Sequence, residues 1–199
     1  RMDLLFVVSG IATSFMLQRS GATGALLGAR VRRLLLPLAF GMLVVVPPQT
    51  YVEVVQRLGF GGSYGQFLRL YLSGYGGFCR AAGQCLIVPT WNHLWFLPYL
   101  IVYTLVVWLA LRRWPRLVDA VAARLPRALH GWRLFALPLS ILVATRLLLA
   151  PRFPITHALV DDLFAHTQYF AMFAFGLAFA RAAALHARMQ QLRWPALAC

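Results

Sequence analysis

"HLWFLPYLIVYTLVVWLAL", His93–Leu111, contains no Asp, Glu, Lys or Arg, and Arg112 and Arg113 close it. Crossing the hydrocarbon core of a bilayer takes about 20 predominantly apolar residues in helical form. The stretch therefore predicts a membrane-spanning helix. Trp91 and Trp95 at its start suit the aromatic belt of a membrane interface. Pro98 lies inside it; in lipid a proline is tolerated where neighbouring helices satisfy the carbonyl it frees.

Outward from this run, four more apolar stretches predict spans: Leu4–Leu17, Leu34–Tyr51, Leu134–Ala150 and Leu163–Ala180, with Pro37 and Pro138 inside two of them. The whole chain is 61% hydrophobic and only 12% charged. A soluble domain carries about 25% charged residues, roughly twice that share. The alternating strands of a membrane β-barrel are not visible. The expected fold class is an all-α integral membrane protein, a multi-span helical bundle with about five spans visible of a larger one. The chain opens at Arg1 without a charged signal-peptide region, and its first run is short for a full crossing. Residues 1–199 are thus expected to be a partial transmembrane domain that starts inside or at the edge of a helix.

The net charge of +14 comes from 19 arginines, no lysine and five acids. In a soluble protein such a balance suggests nucleic acid. Here the arginines cluster between apolar runs, which is the pattern of membrane topology, so no nucleic-acid partner is expected. The connections after the first and third runs and the tail hold thirteen arginines, among them Arg19, Arg30, Arg32, Arg33, Arg112, Arg113 and Arg116. The opposite side holds Arg1, Arg57, Arg69, Arg80 and Arg152, and Arg146 lies within a run. The arginine-rich side is therefore expected to face the cytoplasm, in a cell inner membrane. Asp3, Glu53, Asp161 and Asp162 lie at or near the outer face, and Asp119 is the exception.

Cys79 and Cys85 bracket "RAAGQ" in the outer connection, where a small disulfide loop or two free thiols are both open readings. No Cys/His spacing fits a zinc site, and no Walker or dinucleotide fingerprint occurs. No bound cofactor or metal is expected.

Three clusters carry candidate chemistry. In "GARVRRLLLP", Gly28–Pro37, the guanidinium groups of Arg30, Arg32 and Arg33 either anchor a helix to lipid head groups or hold phosphates bidentately. In "NHLWFLPYL", His93 opens a span at the outer face, either as a wetted residue of the aromatic belt or as a base near neutral pH. In "HALVDDLFAHTQYF", His157 to Asp161 and Asp162 to His166 are four-residue steps, so each pair shares a face if the segment is helical. A carboxylate can orient and polarise an imidazole; alternatively the acids only favour the positive end of a helix. His166 lies inside an apolar run, where polar groups are expensive and often functional. Asp3 stands at the edge of the first run, and Ser9-Gly10 inside it permits close helix packing.

Together these pieces resemble the membrane acyltransferase type 3 family. "MDLLFVVSG" is similar to its "vDlFFvlSGf" signature, with Leu5 in place of one Phe. Arg30, Arg32, Arg33 and Pro37 match its basic helix start followed by proline, and "NHLWFLPYLIVY", with Trp95, resembles the "HLWFLwyLl" segment of the glucan-biosynthesis succinyltransferase branch. "VDDLFAHTQYFAMFAFG" resembles a later family segment. The resemblance implies about ten spans and transfer of an acetyl or succinyl group from cytoplasmic acyl-coenzyme A, the co-substrate, to a hydroxyl of a glucan or other carbohydrate at the outer face. It implies donor binding by Arg30, Arg32 and Arg33 and an acceptor side lined by His93, Asp162 and His166 as catalytic candidates. It also implies a family base upstream of Arg1, so this part is expected to be inactive alone. The competing readings are half of a transporter or flippase, whose intramembrane polar residues mark a pathway, and a non-catalytic membrane protein.

Overall fold

The computed structural model describes residues 2–22, 24–79, 85–153, 155–160, 162–187 and 190. Among these, regular structure is helical, apart from an isolated antiparallel bridge between Cys79 and Cys85. The helices are α1 (Met2–Ser20), α2 (Gly24–Phe40), α3 (Val46–Leu58), α4 (Tyr64–Leu72), α5 (Phe96–Arg113), α6 (Leu117–Ala128), α7 (Arg133–Leu149) and α8 (Leu163–Phe179).

The five expected spans fall on α1, on the run from α2 to α3, and on α5, α7 and α8. Among the described residues one helical stretch, Asn92–Arg113, is long and apolar enough to cross a membrane; Ala136–Leu149 and Leu163–Phe179 are shorter apolar helices. The second run departs from expectation. Instead of a helix bounded by Leu34 and Tyr51, helical backbone continues from Gly24 to Leu58 through a π-helical turn, Gly41–Val45. The cause lies one turn ahead: Pro47 and Pro48 lack N–H groups, so Leu43 and Val44 lose their usual donors, and a wider turn accommodates the defect. Helices α4 and α6 also lie in segments read from sequence as connections. Helix α4 starts at a capping box, with Ser63 and Gln66 satisfying each other's backbone N–H. Helix α6 carries Val118, Ala122 and Leu125 at helical spacing, a stripe diluted by Arg124, Pro126 and Arg127.

The chain forms two compact units, Arg1–Val31 with Tyr99–Cys199, and Arg32–Pro98. In the first, α1 runs parallel to α8. Their contacts pair Asp3 with Gln168, Phe6 with Tyr169 and Ser14 with Arg181, in rising order along both helices. Glycine makes this approach feasible. A methyl group on Gly10 would meet the Phe173 carbonyl, and one on Gly176 would meet the Val7 carbonyl. Helix α5 is also parallel to α8, since Tyr99 meets Asp162 while Tyr103 meets His166 and Phe173. Phe6, fully buried, fills the seam, stacked on Tyr169 at 4.6 Å and tilted against Tyr103 at 5.8 Å.

The second unit packs Val46, Val54, Phe67, Tyr71, Phe78 and Val88 into an aromatic-rich core. The Tyr71 hydroxyl lies 3.1 Å from both the Met42 and Thr90 carbonyls, tying the π-helical turn to the segment before His93. Cys79 and Cys85 are joined as a disulfide, and Leu86 N–H donates to the Phe78 carbonyl behind it.

Candidate functional site

A polar cluster sits where the first turns of α5 and α8 meet the loop ahead of α8, within the first unit. Asp162 precedes α8, but its side chain makes no capping bond to the helix. It is fully buried and turns toward α5, where Oδ2 accepts the Tyr99 hydroxyl at 2.6 Å and the His157 N–H at 3.0 Å. The Tyr99 oxygen in turn accepts the Leu159 N–H at 3.3 Å. The second carboxylate oxygen, Oδ1, is buried and meets no donor among the described residues.

One turn further along α8, His166 stacks on Tyr99 with ring centroids 4.5 Å apart. Its Nε2 faces the Leu159 carbonyl at 2.8 Å and its Nδ1 faces the Tyr103 hydroxyl at 3.2 Å. A carbonyl only accepts, so Nε2 carries the proton, while the Tyr103 hydroxyl pairs with Nδ1 and also reaches the His166 carbonyl at 3.4 Å. Both ring nitrogens are thus engaged. In this arrangement the imidazole orients the loop and has no ring nitrogen open for a substrate proton.

The loop is held in an unusual shape. His157 and Leu159 have φ of 55° and 68°, the left-handed region disfavoured for residues with a Cβ. The bonds from His157 N–H, Leu159 N–H and Leu159 carbonyl into the cluster keep it there, and over-determined strain of this kind gathers at functional sites. Burial pushes the His157 imidazole below its usual value near 6.5, partly opposed by the Asp162 charge. With the folded value lowered, the unfolded chain binds more protons just below pH 6.5, so stability from this residue is complete above 6.5 and falls as pH falls. Amide exchange over residues 155–160 should accelerate from pH 7.5 to 5, corrected for intrinsic rates, and His157→Gln should flatten that dependence; equal slopes in both proteins would refute it.

The remaining candidates lie as follows. Asp3 accepts from Gln168 Nε2 at 2.8 Å, beside the same seam. Arg30, only 8% exposed, donates from Nη2 to the Ser9 hydroxyl at 2.7 Å and to the Ser9 carbonyl at 3.2 Å. Ser9 therefore anchors α2 to α1 while Gly10 contacts α8. Arg32 and Arg33 are exposed, as is Pro37. His93 is exposed on a short 3-10 turn, Asn92–Leu94, in the second unit, and Trp95 is buried. Asp161, the partner expected for His157, lies outside the described residues, as do Arg1, Arg80, Arg188 and Arg193 of the topology count. No metal-binding group of three His, Cys, Asp or Glu occurs among the described residues.

Tyr99, Tyr103 and Gln168 escape a reading based on ionisable residues. A signal for the tyrosines was present: Tyr99 and Tyr103 repeat the four-residue step of Asp162 and His166, so two helix faces of equal pitch can mate. At the opposite end of α8, Arg181 binds Ser14 of α1 at 3.2 Å and pairs with Asp119 of α6. No curated protein and no solved structure matches the chain. The family model described as an acyltransferase domain matches residues 1–199, and the chain belongs to this acyltransferase 3 family.

Proposed function

We propose that the chain is part of an integral membrane O-acyltransferase that moves an acetyl or succinyl group from cytoplasmic acyl-coenzyme A to a hydroxyl of a glucan or other carbohydrate at the outer face. The observation that carries the reading is the family match over residues 1–199. Embedding in several spans is supported by Asn92–Arg113 and by the bare apolar surface of α7, which leaves Leu139, Leu147 and Leu148 60–69% exposed on different sides of the helix. Water does not tolerate apolar surface of this kind.

In the reaction the acceptor oxygen attacks the thioester carbonyl. The C–O bond forms, the C–S bond breaks, and the hydroxyl proton passes through a base to the departing thiolate. A thioester is already activated, so positioning and proton removal are the main tasks. His93, exposed on the 3-10 turn ahead of α5, is assigned the base or a hydrogen-bonding role on the acceptor side. The buried Oδ1 of Asp162 supplies an acceptor for a sugar hydroxyl once the strained loop opens. His166 and Tyr103 hold that loop. On the donor side, Arg32 and Arg33 grip phosphate, and Arg30 fixes the start of α2 through Ser9.

The test uses membranes carrying the full parent protein, incubated with radiolabelled acetyl- or succinyl-coenzyme A and an extracted glucan acceptor. Label in the carbohydrate that requires the protein supports the reading. Its absence, with the protein inserted and folded, refutes it. In the same assay Arg32→Gln with Arg33→Gln should raise the acyl-coenzyme A KM by about tenfold or more, since each charged phosphate contact contributes about 1.5–3 kcal/mol. Arg30→Gln should instead lower thermal stability. An unchanged KM in the double variant removes the donor grip.

A further inference from the structure

Six arginines, Arg112, Arg113, Arg116, Arg124, Arg127 and Arg133, run from the end of α5 through α6 to the start of α7, and all six are exposed. The segment contains one acid, Asp119, and that carboxylate is paired with Arg181. Arg112 lies over the Trp108 ring at 5.0 Å and Arg113 over the Trp114 ring at 5.5 Å, contacts that leave a guanidinium edge open to an anion.

Helix α6 has a matching apolar side. Val118 and Ala122 are buried, while Leu117 and Val121, on the adjoining strip, are exposed. Helical spacing places Arg124 beside that strip and Arg127 one step further round. Two apolar grooves flank it. One, of about 380 Å³, is lined by Val121, Leu125, Leu137, Ile141 and Phe175. The other, of about 200 Å³, is lined by Val106, Ala110, Leu117, Val121 and Phe170. Trp114 and Trp132 stand beyond the two ends of α6, 57% and 75% exposed. An apolar strip edged by arginine and bracketed by tryptophan is the make-up of a helix lying in a membrane interface.

We infer that α6 and its flanking grooves form a binding surface for anionic phospholipid, with head-group phosphates met along the helix by Arg116, Arg124 and Arg127 and acyl chains in the grooves. This rests on the membrane-embedded reading above. Charge complementarity selects an anionic head group over a zwitterionic one. The grooves, apolar throughout their lining, select a lipid tail over a free nucleotide.

The test is native mass spectrometry of the full chain, purified in mild detergent and offered equal amounts of phosphatidylglycerol and phosphatidylcholine with matched chains. The expected result is about tenfold preferential retention of phosphatidylglycerol, as basic groups at a surface confer. Arg116→Gln with Arg124→Gln and Arg127→Gln should bring retention to parity. Arg57→Gln, whose arginine pairs with Glu53 in the other unit, should leave it unchanged. Parity in the wild type overturns the inference, whatever the variants do. So does undiminished preference in the triple variant, or displacement of the lipid by equimolar coenzyme A, which would reassign the arginines to a soluble phosphate ligand. Extraction of the chain from membranes by alkaline carbonate without detergent would instead refute the embedded reading, so the two failures are distinguishable.

Discussion

Gly10→Val should separate α1 from α8 and lower the stability of the first unit by about 3 kcal/mol or more, at the top of the range for overpacking. The obstacle is backbone: the added carbon would overlap the Phe173 carbonyl and crowd Leu177 N, neither of which can swing aside as a side-chain tip can. Gly176→Val meets the Val7 carbonyl and should have the same effect from the other helix. With the seam open, Phe6 loses its stacking on Tyr169, and the Asp3–Gln168 and Ser14–Arg181 bonds go with it. Gly28→Ala is the control. It lies in α2 with nothing within 4 Å of a Cβ, so it should be neutral or stabilising by up to about 1 kcal/mol. Thermal unfolding in detergent distinguishes them. A Gly10→Val protein that melts with the wild type would show that α1 and α8 do not pack this closely.

Asp162→Ala should have the next largest effect, because it orphans two donors at once, the Tyr99 hydroxyl and the His157 N–H. Each buried donor left unmatched costs about 1–3 kcal/mol. Amide exchange gives a pattern that a general loss of stability would not. In Asp162→Ala the amides of His157 and Leu159 should both exchange at least about tenfold faster, a factor worth 1.4 kcal/mol. In Tyr99→Phe only Leu159 should change strongly, since His157 still donates to Asp162. Acyl transfer by the full parent protein should fall in both variants, more in Asp162→Ala. Uniform acceleration across α8 in either variant would mean the carboxylate holds the helix rather than the loop.

Much of this arrangement is legible in the residues. The apolar runs on α1, α5, α7 and α8 are marked by composition alone, because no short-range feature competes with them. Asp162 and His166 stand out because polar groups at a span are costly. Arg30 illustrates the limit. Its spacing from Arg32 and Arg33 suggests one cluster, yet its Nη2 donates to Ser9, 21 residues away in sequence. The partners of Asp162 were equally hidden, since Tyr99 is 63 residues away and reads alone as an interfacial aromatic. The amphipathic α6 is not legible in the sequence because its buried stripe is short and mixed with arginine.

The sequence by itself determined the class of structure, all-helical: its long apolar runs suit helices, whose backbone groups bond internally. It also determined the family, through motifs in a fixed order. Only the tertiary structure decided which polar groups meet. Sequence spacing fixes neighbours within one helix, whereas the Tyr99–Asp162 bond, the Arg30–Ser9 bond and the Gly10–Gly176 seam depend on how separate helices are rotated and slid against one another, and that is set by side-chain packing across the whole unit.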